Sequence, residues 1–215
     1  MPTIKEIAKA CNVSVATVSN IINHKGSVGD ATRERVEQVI REMNYTPNYV
    51  AKNLKTKNTR SIGVIAEDMT VFALPDIIDG ITEYCEEEDY QILLVNLRLY
   101  KKFQDKYYRD NRHKEIVRQE IQKLLAKQVE GIIYVAAHER LINIIPEDLP
   151  IPTVVAYGFT GSEKIPSVVV KDIKGAYDLV SYIVSKGHKK IGVIAGKKES
   201  IHTQSRLEGY QKALF

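Results

Sequence analysis

The sequence predicts two parts: an all-α helix-turn-helix unit at the amino end, then an α/β core with a parallel sheet and helices on both faces. Three observations predict this. Residues 3–43 carry three short apolar stripes at helical spacing. From Ser61 onward, apolar runs of strand length alternate with amphipathic stretches of helix length, the pattern of βαβ units. Charge divides near the same point. Residues 1–60 hold ten Lys/Arg against five Asp/Glu, a balance of +5; the whole chain is +4, so residues 61–215 carry −1.

In the first part, Thr3 is placed to cap a helix with Ile4, Ile7, Ala8 and Cys11 on one face. Asn12-Val13 makes a tight break. Ser14 then caps a second helix, with Val18, Ile21 and Ile22 inward. A third helix runs from about Asp30 to Met43, with Val36, Val39, Ile40 and Met43 at i, i+3, i+4 and i+7. Two helices on so short a turn form a helix-turn-helix, which places its second helix in a DNA major groove. The residues left facing outward there are Val15, Ala16, Thr17, Ser19, Asn20 and Asn23, with no acid among them. Asn pairs with adenine edges, and Val or Ala meets a thymine methyl. Hydroxyls such as Ser14, Thr17 and Ser19 suit phosphate oxygens. Spacing alone leaves a second reading open, a small helical bundle with a polar surface.

Residues 56–60 read as a linker. SIGVIAED is the first strand, and LPDIIDGITEYCEEE a helix with Ile77, Ile78, Ile81 and Cys85 inward. QILLVNL is a strand, EIVRQEIQKLLAKQ a helix, and VEGIIYVAA a strand. A short helix is expected around ERLINII, then a strand at PTVVAYG. SVVVKD, GAYDLVSYIVSKGHKK, IGVIAG and SRLEGYQKALF continue as strand, helix, strand, helix. Apolar patterning does not separate this arrangement from a flavodoxin-like one.

Other functions find little support. No apolar run approaches the ~20 residues of a membrane span, and MPTIKEIAK lacks the apolar core of a signal peptide. Cys11 and Cys85 sit on apolar faces of separate helices, which predicts buried free thiols and a reducing cytoplasm. His24, His113, His138, His188 and His202 show no metal spacing. Gly192 to Lys198 lacks the spacing of a phosphate loop. Glu86 to Asp89 reads as a solvated helix end. No enzyme activity, cofactor or metal is expected.

The run TIKEIAKACNVSVATVSNIIN, followed by TRERV, NYTPN and VAKNLKT, resembles the DNA-binding headpiece of the lactose-repressor (LacI/GalR) family across residues 3–60. The resemblance implies base reading by Val15, Ala16 and Asn20. It implies backbone contacts by Asn23 and Tyr45, beside Thr3, Ser14, Thr17 and Ser19. Pro47 to Lys55 falls on the family's hinge helix, with Leu54 as a minor-groove wedge followed by Lys55. Such a wedge costs unstacking energy and gains a bent duplex. SIGVI, VEGII, PTVV, and SKGHKKIGVIAG with SRLEGYQKAL resemble the family's periplasmic-binding-protein-like core. The implied division is headpiece 1–46, hinge and linker 47–60, first core lobe 61–158, and part of a second lobe 159–215.

The resemblance thus implies a repressor that binds a palindromic operator as a homodimer and answers to a sugar-like or nucleoside-like effector. Arg206, three residues before Gly209, falls where the family holds ligand. The family's two adjacent pocket aromatics are replaced here by Ala73 and Leu74, with Phe72 just before them. The chain departs from the pattern at several places. The connection 97–114 is longer than usual, and common acidic positions hold Tyr157 and Lys171. The sequence stops at Phe215 within the helical pattern after IGVIAG. An incomplete second lobe is therefore expected, with apolar surface exposed at Val168–Val170 and Ile191–Ala195. Two other readings remain: a DNA-binding protein with a non-sensing dimerisation core, and a small-molecule-binding α/β protein whose helical amino end binds protein.

Overall fold

The structure, a computed structural model, describes residues 2–46, 59–71, 73–104 and 112–215. The chain divides into two compact units, Met1–Asn58 and Thr59–Phe215. Eight helices and five strands lie among the described residues.

The first unit holds α1 (Ile4–Ala10), α2 (Val15–Ile22) and α3 (Asp30–Glu42). Helices this short are marginal alone and rest on their shared core. That core is Ile7, Ala8, Cys11, Val18, Ile21 and Val36, with Ile4, Ile22, Val39, Ile40 and Tyr45 packed partly buried around it. Thr3 starts α1 with a capping box. Its N–H donates to Glu6 Oε2 at 2.7 Å, and its hydroxyl accepts the Glu6 N–H at 3.4 Å. Asn12 turns the chain at φ 51°, a left-handed conformation that Asn tolerates. Met43 departs from its expected place in the stripe. It is the C-cap of α3 and 38% exposed.

The second unit holds β1 (Ser61–Ala66), α4 (Leu74–Glu87), β2 (Gln91–Asn96), α5 (Leu99–Phe103), α6 (Lys114–Ala126) and β3 (Gly131–Val135). It continues with β4 (Thr153–Ala156), β5 (Ser167–Val168), α7 (Asp172–Ser185) and α8 (Ile201–Leu214). All neighbouring strands pair in parallel, in the order β2-β1-β3-β4-β5. The chain steps from β1 outward to β2, then back past β1 to β3. Right-handed crossovers put α4 and α6 on opposite faces as a result. Gly63 shows how closely α6 seats on β1: a Cβ there would come within 2.8 Å of Leu124 Cδ1. Val64, Ile65, Ile121, Leu124, Ile132 and Val155 belong to the core between these layers. Cys11 and Cys85 are both buried and free.

Three expectations are corrected. No helix forms around ERLINII. Leu141, Ile144 and Ile145 mimic a helical stripe, but Leu141 is 53% exposed while Ile142 is buried. Leu141 instead bridges to Phe159, and Pro146 disfavours a helical residue before it. In SVVVKD only Ser167 and Val168 pair as strand, and Val168, Val169 and Val170 are exposed. Residues 191–196 are not strand, and Ile194 is fully exposed. An apolar run becomes strand only by pairing, and none of the described strands lies beside this one. Of the long connection 97–114, Leu99–Phe103 form α5 and Lys114 opens α6; residues 105–111 lie outside the described residues.

Candidate functional site

Two places carry functional side chains. The first is the outer face of α2. Val15, Ala16 and Asn20 are exposed there, while Thr17, Ser19 and Asn23 are half-buried. At about 100° per residue, positions 15, 16 and 20 share an arc of about 140°. The first turn of α2 holds no acid, so its free N–H groups keep their partial positive charge for an anion. Several of the polar residues expected to touch phosphate also serve the fold. Ser14 Oγ accepts the Thr17 N–H at 3.0 Å and pairs with its hydroxyl at 2.9 Å. Asn23 Nδ2 donates to the Ser19 carbonyl at 2.7 Å, closing the end of the helix. Tyr45 packs on the headpiece core. Leu54 and Lys55 lie outside the described residues.

The second place is the carboxyl edge of the sheet in the Thr59–Phe215 unit. The strand order reverses at β1, and open α/β sheets bind ligands in the crevice beyond such a reversal. Glu67 and Asp68 follow β1 directly, and both are buried. Glu67 accepts from the Tyr134 hydroxyl at 2.5 Å, the Ala137 N–H at 2.8 Å, and Arg140 Nη2 and Nη1 at 2.6 and 3.0 Å. Asp68 accepts from the Thr70 N–H and hydroxyl and from the Tyr100 N–H. Burial pushes its carboxyl up, but these donors outweigh burial and hold it below the usual range.

Beyond this edge, the loop after β3, the end of β4 and the α7–α8 pair bring five side chains together. Asp172, in the first turn of α7, receives Arg206 Nε on Oδ1 at 2.6 Å and His202 Nδ1 on Oδ2 at 2.5 Å. Burial alone would raise the Asp172 pKa, yet the bonds from His202 and Arg206 prevail and lower it. Tyr157 stands at φ 55°, a left-handed conformation costly for a bulky side chain. Its hydroxyl lies 3.3 Å from His202 Nε2, and the two rings stack at 5.6 Å. Burial pushes the Tyr157 hydroxyl pKa up, and the Glu139 and Asp172 charges add to this. Glu139 Oε2 is shielded from solvent and has no hydrogen-bond partner among the described residues. Glu139, Asp172 and His202 each offer a metal-ligand atom, all within 4.8 Å of one another. A separate hollow of about 280 Å³, lined by Pro146, Leu149, Pro152 and Ile165, sits at the amino end of β4, away from this cluster.

Of the residues expected to meet an effector, Arg206 joins the cluster. Leu74 does not: it is wholly buried in the core at the start of α4. Phe72 lies outside the described residues. Sequence reasoning missed Glu139, Asp172 and His202. Two signals pointed to the last two: an acid stands one residue beyond Lys171, and His202 precedes Arg206 by four residues on one helix face.

The profile of "Bacterial regulatory proteins, lacI family" matches residues 3–48. That of "Periplasmic binding proteins and sugar binding domain of LacI family" matches residues 59–215. The chain belongs to the LacI family. Among its relatives, the HTH-type transcriptional repressor PurR of Vibrio atlanticus (strain LGP32) is 30% identical over 217 residues, covering 100% of this chain and 61% of that protein. The HTH-type transcriptional regulator RegA of Clostridium saccharobutylicum is 32% identical over 215 residues, covering 99% and 60%. The crystal structure of the lac repressor dimer bound to operator and the anti-inducer ONPF superposes with a TM-score of 0.71 at 25% identity, covering 99% of this chain and 61% of that one. The chain thus spans about three fifths of the length of these relatives. These relatives are named as regulators of transcription. No described helix is long and apolar enough to cross a membrane.

Proposed function

We propose that the protein is a sequence-specific DNA-binding regulator of transcription, a repressor and not an enzyme. It binds a palindromic operator as a homodimer, and it works in the cytoplasm, where its operator lies. The observation that carries this reading is the exposed face of Val15, Ala16 and Asn20 on α2, inside the match to the family's regulatory headpiece. One headpiece contacts only a few base pairs, too few for specificity in a genome. Two headpieces on a symmetric dimer read a pseudo-palindrome.

The division at 1–46, 47–60, 61–158 and 159–215 assigns base reading to the first part, and to the second a minor-groove wedge, Leu54, with Lys55 beside it in the hinge sequence. Thr3, Ser14, Thr17, Ser19, Asn23 and Tyr45 stay near the phosphates in this scheme. A sugar-like or nucleoside-like effector sits at the carboxyl edge of the sheet beside Arg206, with Phe72 as a further contact by its position in the family pattern. The Arg206 side chain is 63% exposed although its Nε is held by Asp172, so its remaining N–H groups can serve ligand oxygens. Effector binding then couples to operator affinity by about 1–3 kcal/mol.

Operator affinity, measured by fluorescence anisotropy, is expected to fall steeply with salt, at a log–log slope of about −4 or steeper for some five phosphate contacts. The +5 balance of residues 1–60 motivates this. A flat response would assign the helical unit to a protein partner instead. Asn20→Ala is expected to cost about 1–3 kcal/mol on the preferred operator and to relax discrimination at one base pair. Binding to a panel of single-base operator variants checks it. Equal weakening on every variant would make Asn20 a backbone contact.

A further inference from the structure

We propose that Glu139, Asp172 and His202 form a binding site for a first-row divalent cation, zinc above all, which fastens the loop after β3 to the α7–α8 pair. Their ligand atoms already lie within 4.8 Å of one another. Tetrahedral zinc holds nitrogen and oxygen donors about 3.4 Å apart, so side-chain shifts of about an ångström seat the ion.

Three features go beyond proximity. Glu139 Oε2 is shielded from solvent and makes no hydrogen bond to the described residues. A carboxylate oxygen so placed is costly until a cation or donor meets it. His202 presents Nδ1 toward the Asp172 carboxylate, while its Nε2 is 3.3 Å from the Tyr157 hydroxyl and its ring stacks on that tyrosine. A metal-ligating imidazole is fixed in this way, with its second N–H given to an oxygen. Arg206 Nε occupies Asp172 Oδ1 and orients the carboxylate, leaving Oδ2 for the ion. Two carboxylates against one guanidinium leave the cluster one negative charge in excess with His202 neutral. One imidazole nitrogen with two carboxylate oxygens favours zinc, cobalt or nickel over magnesium. On binding, the ion takes the place of the proton between His202 Nδ1 and Asp172 Oδ2, and the neutral imidazole carries its one proton on Nε2 instead, donated to the Tyr157 hydroxyl oxygen. No step of this depends on DNA binding.

The test titrates the 215-residue protein, stripped of metal by a chelator, with Zn²⁺ by calorimetry and with Co²⁺ by visible absorption. One ion per chain is expected, with cobalt d–d bands of four- or five-coordination and zinc preferred over magnesium by at least about 100-fold. E139Q and H202A should each weaken zinc binding by at least about 10-fold, while H188A, at an exposed histidine, leaves it unchanged. Should H202A fail to fold, E139Q decides, since Glu139 Oε2 makes no bond for the fold to lose. Zinc binding that survives E139Q overturns the site. So does a folded parent protein, verified by circular dichroism, that takes up no zinc at millimolar concentration.

Discussion

Arg140→Met is expected to destabilise the Thr59–Phe215 unit by about 3–5 kcal/mol, read as a lower urea midpoint at an unchanged m value. Glu67 has no exposed surface, and the Arg140 side chain is only 18% exposed. The two form a forked pair at 2.6 and 3.0 Å. Without the guanidinium, the Tyr134 hydroxyl and the Ala137 N–H still donate, but the buried carboxylate loses the positive charge of the forked pair. Most of the cost is that stranded charge, so the double variant Glu67→Gln with Arg140→Met should recover much of it. A single-variant loss below about 1 kcal/mol would mean that the pair behaves like a solvated surface one. The same pair anchors the segment from Ala137 to Arg140, which carries Glu139. Arg140→Met should therefore weaken zinc binding as well, although Arg140 is not among the proposed ligands.

The headpiece was legible because each helix bears an apolar stripe, failing only at Met43, and the first two helices carry their own start signals. Thr3 with Glu6 spells a capping box, and Ser14 caps α2 as its position suggests. The strands β1 to β4 were legible as continuous apolar runs, the mark of strands buried on both faces. Their order was not. Patterning gives strands without neighbours, and the order β2-β1-β3-β4-β5 appears only in the structure. The same limit explains residues 191–196, where IGVIAG has strand composition but no partner among the described strands. Around ERLINII the period itself misled, since Leu141 keeps helical spacing with Ile144 and Ile145 while facing solvent.

The candidate sites divide in the same way. Val15, Ala16 and Asn20 lie on one helix, so their common face follows from 3.6 residues per turn. Glu139, Asp172 and His202 come from three segments, with His202 thirty residues after Asp172. The packing of α8 on α7 and the anchoring of Ala137–Arg140 on Glu67 bring them within reach. Leu74 shows the converse. Its position near the family's pocket aromatics suggested ligand contact, yet an apolar side chain at the start of α4 is drawn wholly into the core.

Gly209→Ala is expected to destabilise the α7–α8 pair by about 3 kcal/mol, although helix propensity alone predicts a gain of about 1 kcal/mol for alanine over glycine. The contact geometry decides the sign. A Cβ at position 209 would stand 2.2 Å from the Ile173 carbonyl oxygen and 2.9 Å from Ala176 Cβ. The first is backbone inside α7 and cannot rotate away, so the helices must part. Asp172 starts α7, while His202 and Arg206 belong to α8. Parting the helices therefore also stretches the 2.5 and 2.6 Å bonds that assemble the cluster. The variant should lose zinc affinity along with stability, which calorimetry and urea unfolding together would register. Gly175→Ala is the control. A Cβ at Gly175, also within α7, meets nothing within 4 Å, so alanine there should be neutral or stabilising by up to about 1 kcal/mol. Equal behaviour of the two variants would show that close helix contact is not what requires glycine at position 209.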